Sequence, residues 1–213
     1  MTDTLGDLLA RVISAPADED VDDSVAERIL DAALVQVAAV GVRRTTVDDV
    51  ARRAGVGRIT VFRRFGSKDR LFDVLAVREA RRFFAAIEAA THGVDDPVEQ
   101  MVASFVTGMR LARGHPLLDR LARIEPETVL AALAHDRPPV MSLAREFVAR
   151  PLRAAVRRGE LEVTHVDQVS EVLLRLAVSF LLLPHSVVDL GDETETRAFA
   201  HRVIAPLLRM NPR

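Results

Sequence analysis

Three glycine-centred breaks, at Gly41, Gly55-Val56-Gly57 and Gly66, cut residues 24–66 into one medium and two short helical segments. This punctuation constrains the fold more than any other feature of the chain. Ser24 and Glu27 have the spacing of a capping box, and Val25, Ile29, Ala33 and Val37 recur at helical intervals up to Gly41, which predicts a helix over 24–40. Thr45 and Thr46 each offer the next N-cap, Asp48 and Asp49 suit the positive end of a helix, and Val47, Val50 and Ala54 form its apolar stripe. The second helix is therefore expected over 46–53. Arg58 to Phe65 makes a third, and Ser67 caps a fourth, longer helix carrying Leu71, Phe72, Leu75, Phe83 and Phe84. Two short helices joined by a three-residue turn with glycine form a helix-turn-helix. Glycine belongs in that turn because it has no Cβ to clash.

Beyond a loop at 91–97, helices are expected at 97–113, 116–134, 138–159, 165–186 and 194–210, separated by Gly114-His115-Pro116, Arg137-Pro138-Pro139, Gly159 and Gly191. Pro206 is expected to kink or end the last of them. Alternating strand patterns are nearly absent, Leu161-Glu162-Val163 alone being ambiguous, so the chain reads as all-α with about nine helices. Residues 1–23 read as an acidic, mobile arm with a short helix over Leu5–Ile13, and they lack the basic start and cleavage site of a signal peptide. Val172 to Leu183 is interrupted by Arg175 and falls well short of the roughly 20 residues of a membrane span. A soluble, cytoplasmic protein is expected, with no membrane partner.

The net charge of −2 conceals a segregation of sign. Residues 1–23 carry −6, residues 24–82 carry +6 and residues 83–213 carry −2. A basic block of that length is a footprint for a polyanion. Of the 29 cationic residues 28 are Arg, leaving Lys68 as the only Lys, a bias that a GC-rich coding sequence also produces. With no cysteine, disulfides, thiolate metal sites and a cysteine nucleophile are excluded. The six histidines contain no i, i+4 metal pair, no Gly-x-Ser-x-Gly elbow occurs, and Gly66-Ser67-Lys68 has the wrong order for a phosphate-binding loop. No catalytic residue, cofactor or metal site is expected.

The run from Thr45-Thr46 through Ala54-Gly55-Val56, Thr60-Val61-Phe62 and Phe65 to Ser67-Lys68-Asp69 and Leu71-Phe72 resembles the DNA-binding signature of TetR-type transcriptional regulators. The resemblance is strongest over residues 24–84. It implies a helix-turn-helix domain at 24–66, linked by the fourth helix to a helical ligand-binding and dimerisation domain at 67–213. It also implies that Thr46, Thr60 and Lys68 meet phosphates, and Thr45 is a further candidate there or a simple cap. Hydroxyls, helix N-terminal amides and an ammonium group all suit phosphate oxygens, and such contacts orient the protein without reading sequence.

The residues support this reading independently. In the third helix Val61 and Phe65 can face inward, leaving Arg58, Thr60, Phe62, Arg63 and Arg64 on outward or flanking positions. Arg pairs bidentately with guanine O6 and N7 in the major groove, and apolar groups meet the thymine methyl. Arg58 and Arg63 are therefore candidate base readers, with Ile59 beside them. Phe62 stands where the family commonly has a tyrosine hydroxyl, so it contacts DNA by van der Waals contact or turns inward. Arg64 replaces a frequent His and Ile59 a commonly small residue, so no relative's base preference transfers.

The family pairs through its last two long helices. Leu173, Leu176, Phe180 and Leu183, with Phe199, Val203 and Leu207 opposite, are the expected homodimer interface. Two reading helices then imply a pseudo-palindromic operator on double-stranded DNA. Met101, Phe105, Met109, Met141 and Phe147 are candidate lining for the pocket of a largely apolar small molecule, though such residues also make ordinary core. The resemblance implies a homodimeric repressor released by that molecule. Two other readings stay open: a ligand-binding or lipid-binding helical module without sequence-specific DNA binding, and an effector-independent DNA-binding dimer.

Overall fold

A computed structural model describes residues 22–115, 118, 125–135, 139–183 and 185–209. The expected acidic arm with its helix over Leu5–Ile13, the first half of the 116–134 helix and Met210 lie largely outside them. Among the described residues the chain forms nine helices and no strand: α1 (Asp22–Val40), α2 (Val47–Ala54), α3 (Arg58–Phe65), α4 (Lys68–Ala90), α5 (Pro97–Gly114), α6 (Pro126–His135), α7 (Val140–Arg157), α8 (Val166–Leu182) and α9 (Glu193–Arg209).

The first four helices enclose one apolar core. Ile29, Ala33 and Val37 from α1, Val47 and Val50 from α2, Val61 from α3 and Leu71 and Leu75 from α4 are all buried within it. Helices of eight residues are not stable alone in water, so α2 and α3 persist because each contributes buried side chains to this shared core. Their ends are chemically determined. The Thr46 side chain accepts the Asp49 N–H while the Asp49 carboxylate accepts the Thr46 N–H, a complete capping box. At the other end Gly55, at φ 67°, places its N–H on the Arg52 carbonyl.

Ser24 lies inside the first helix and not at its cap. The helix begins two residues earlier, at Asp22, and the Glu27 carboxylate instead accepts hydrogen bonds from Arg78 and Arg82 of α4.

α4 is about 35 Å long at the usual rise, so it leaves the first core and enters the second. That larger core gathers Met101, Val102, Phe105 and Met109 of α5, Leu152 and Ala155 of α7, Leu173 of α8 and Phe199, Ile204 and Leu208 of α9. Leu161 and Val163, the ambiguous alternating pair, adopt neither helix nor strand, and both side chains are buried in this core. Pro206 does not end α9, which continues to Arg209. So near the C-terminus the missing proline N–H removes one ladder bond and leaves the buried Ile204 and Leu208 in place.

Candidate nucleic-acid interface

The α2–α3 turn and the start of α4 carry exposed cations of the basic block, among them Arg58, Arg63 and Arg70. In α3, Val61 points into the core at 2 % exposure and Phe65 packs beside it, so the opposite face is forced outward. Arg58, Ile59, Phe62 and Arg63 lie on that face, with Ile59 83 % and Phe62 37 % exposed. Ile59 is thus left exposed beside the exposed Arg58 and Arg63. Phe62 does not turn inward; the Arg58 guanidinium stands over its ring at 5.2 Å from the centroid. Arg58 also pairs with Asp48 of α2 at 2.9 Å, an exposed bond that holds the guanidinium against α3.

The flanking candidates separate. Thr46 is exposed at the α2 N-cap, but its hydroxyl is committed to Asp49, donating to Oδ2 at 2.6 Å. Thr60 and Arg64 are half-buried on α3. Lys68 opens α4, with its ammonium 5.6 Å from the Phe72 ring centroid and 3.5 Å from the Arg43 carbonyl. Thr45 is removed from the phosphate candidates, and it is not the cap either. It is fully buried and donates to the Gly41 carbonyl at 2.6 Å, closing the α1–α2 turn. Two adjacent threonines point oppositely because the backbone changes from turn to helix between them.

Hydrogen bonds from the Thr46 hydroxyl, then from the Thr46 N–H, with help from Arg52, hold the Asp49 carboxyl below the usual carboxylate range. A carboxyl lowered by folding stabilises the fold above its unfolded value and loses that contribution as pH falls through the folded one. Wild-type protein should therefore lose this increment as pH drops below about 4. Asp49→Asn lacks it, so its urea midpoint should respond less to acid. Parallel pH profiles for the two proteins would refute this assignment.

Arg43, which motif spacing did not single out, joins the same surface. It is exposed and ion-paired to Glu127 of α6 at 3.0 Å. Just before α6, the buried Glu125 carboxylate accepts the Val42 N–H at 3.2 Å and sits where a Cβ on Gly41 would be. The α1–α2 turn is thus clamped by the residue that precedes α6. Its only sequence signal is the glycine itself, at φ 90°.

Behind this surface lies a cavity of about 1850 Å³ between α4, α5, α7 and α8. Met101, Phe105, Met109, Met141 and Phe147 all line it. Phe147 stacks on Phe84 of α4 at 4.8 Å. The proposed interface residues divide. Leu173 and Phe199 are buried inside the chain, Phe199 meeting Phe105 of α5 at 6.1 Å and Phe180 of α8 at 5.3 Å, because helices of the same chain cover them. They are corrected to core. Leu176, Phe180 and Leu207 are half-buried against the same core, while Leu183 and Val203 are exposed, Leu183 just beyond the end of α8.

Residues 29–75 match the family model of bacterial regulatory proteins, tetR family. An uncharacterized HTH-type transcriptional regulator of Mycobacterium tuberculosis is 27% identical over 187 residues, spanning 86% of this chain and 85% of that protein. The crystal structure of the TetR family repressor AlkX from Dietzia sp., implicated in biodegradation of n-alkanes, superposes with a TM-score of 0.63 at 20% identity, covering 86% of this chain and 94% of that one. The transcriptional regulator FadR from Bacillus subtilis, solved in complex with stearoyl-CoA, gives 0.62 at 17% identity, covering 85% and 97%. The segment that carries α2 and α3 is thus similar to the tetR-family model, and the chain shares its helical fold with these solved structures.

Proposed function

We propose that the protein is a homodimeric repressor that binds a pseudo-palindromic operator and is released by a small, largely apolar molecule. The observation that carries the DNA-binding part is the exposed face of α3, where Arg58, Ile59, Phe62 and Arg63 stand together while Val61 anchors the helix from behind. On this reading residues 24–66 form the DNA-binding domain and residues 67–213 the ligand-binding and dimerisation domain. Exposed Val172, Leu183 and Val203 on or beside the last two helices support pairing of two copies there. The aromatic and methionine walls of the cavity support an apolar effector. So do the two relatives in fold, one implicated in n-alkane degradation and one holding stearoyl-CoA.

Release requires the effector to bind the DNA-incompetent arrangement better than the bound one. The test is a titration of the protein against duplex DNA from upstream of its own gene and against a scrambled duplex, at several salt concentrations. Selective binding of the upstream duplex is expected, and equal affinity for both would refute the operator reading. A steep salt dependence alone reports phosphate contacts only.

Two variants separate the roles. Arg63→Ala should cost about 1–3 kcal/mol on the specific duplex and little on the scrambled one, because it removes a base contact. Lys68→Ala should weaken both duplexes about equally and lower the salt slope by about one. Equal losses on both duplexes for Arg63→Ala would mean that it holds the backbone and not a base.

A further inference from the structure

Arg58 opens α3, and a cation at the first position of a helix meets the positive end of its dipole. α3 carries no acidic residue in its own first turn to offset that charge. The offset comes from the neighbouring helix: Asp48, in the first turn of α2, accepts from Arg58 Nη1 at 2.9 Å. The Phe62 ring, one turn further along α3, has its centroid 5.2 Å from the guanidinium carbon. Arg58 is thus held from two helices at once. Asp49, next to Asp48, has a different task, since its carboxylate is bonded to Thr46 and Arg52.

The charge of Asp48 runs against attraction for a polyanion, and its side chain is 55 % exposed, so the pair adds little to stability. Its placement supplies something else. A guanidinium presents its donors in a rigid fork with two usable edges. Asp48 takes Nη1 and does not occupy the edge made by Nε and Nη2, which matches O6 and N7 of guanine. An arginine already held in place loses less freedom on docking, and its pair with Asp48 strengthens once the duplex excludes water. From this geometry we infer that Asp48 is a positioning residue for base reading: it orients the Arg58 guanidinium toward a guanine, lowering affinity for every duplex and raising selectivity for one. The inference rests on α3 being the reading helix.

The full-length protein tests this on duplexes that the wild type itself enriches from a random-sequence library. Arg58→Ala identifies the guanine it reads, as the one whose replacement by adenine weakens wild-type binding about twentyfold and no longer matters in the variant. Asp48→Ala should cut that penalty to about fourfold, yet bind a scrambled duplex about threefold more tightly, because a negative charge has left the face. In the Arg58→Ala background, adding Asp48→Ala should leave the guanine penalty unchanged. Equal losses on all duplexes with a lowered melting temperature would mean that Asp48 only ties α2 to α3, and would overturn the inference. A wild-type guanine penalty in Asp48→Ala, or a further change in the double variant, would overturn it as well. Asp48→Asn keeps the shape without the charge and carries the same expectations if the alanine variant fails to fold. If the wild type enriches no sequence, the operator reading falls and this inference with it. If it enriches one in which Arg58→Ala abolishes no guanine preference, the operator reading stands and this inference alone falls.

Discussion

Gly41→Ala is expected to destabilise the protein by about 2–4 kcal/mol, combining a left-handed backbone penalty with loss of a buried carboxylate's hydrogen bond. The residue has φ 90°, and an added Cβ would lie 2.0 Å from the Glu125 Oε1. Glu125 is the end of a flexible side chain, but at 6 % exposure, with the Val42 N–H bonded to its Oε2, it has little room to retreat. Displacing it would release the clamp between the start of α6 and the α1–α2 turn. The Arg43 to Glu127 pair stands next to that clamp and should loosen with it. Denaturant unfolding of Gly41→Ala in wild-type and Glu125→Ala backgrounds separates the two causes. If the clamp matters, the loss is smaller in the second background; if only the backbone is strained, the losses are equal. An unchanged midpoint in the wild-type background would refute both. Operator affinity should fall as well, measured where the variant is still folded, because the turn carries the chain directly into α2.

Leu71→Ala is the second large effect, at about 2–5 kcal/mol for a leucine deleted from a packed interior. Leu71 is fully buried, the first long apolar side chain of α4, and packs in the core that holds α2 and α3 in place. That core is small, so a cavity of several methylene groups cannot be refilled by its valine and alanine neighbours without moving the helices. Operator binding should be lost at a lower temperature than in the wild type. Leu152→Ala, in the larger core at 1 % exposure, is the matched control. If the two cores melt separately, calorimetry will show Leu71→Ala lowering only the transition of the N-terminal helices and Leu152→Ala only the other. If they melt together, both variants lower one shared transition. A Leu71→Ala protein with wild-type melting and operator affinity would show that α4 does not secure the reading helices.

Much of the reading head was legible because its signals are local. Capping residues, glycine breaks and three-to-four-residue apolar spacing act within one or two turns of helix, so α2 and α3 were bounded to within a residue from sequence. The same locality explains the failures. Thr45 and Thr46 are chemically alike, and which one faces water depends on where the turn ends. Ser24 and Glu27 satisfy a capping pattern, but the helix includes Asp22 and Glu27 pairs with Arg78, fifty-odd positions away.

The cavity and interface residues show the limit most clearly. Leu173 and Phe199 lie on strongly apolar helices, and apolar periodicity states that a face must be covered without stating by what. α5 and a second copy of the chain would leave the same pattern. The pairs Gly41 with Glu125 and Glu79 with His115 join segments that no motif connects. The sequence by itself determined the helices, the glycine turn and the basic block of the head, since backbone conformation and charge are properties of neighbouring residues. Only the tertiary structure decided which threonine is exposed, which leucines form the core and which side chains line the cavity, because burial and pairing depend on residues brought together from distant parts of the chain.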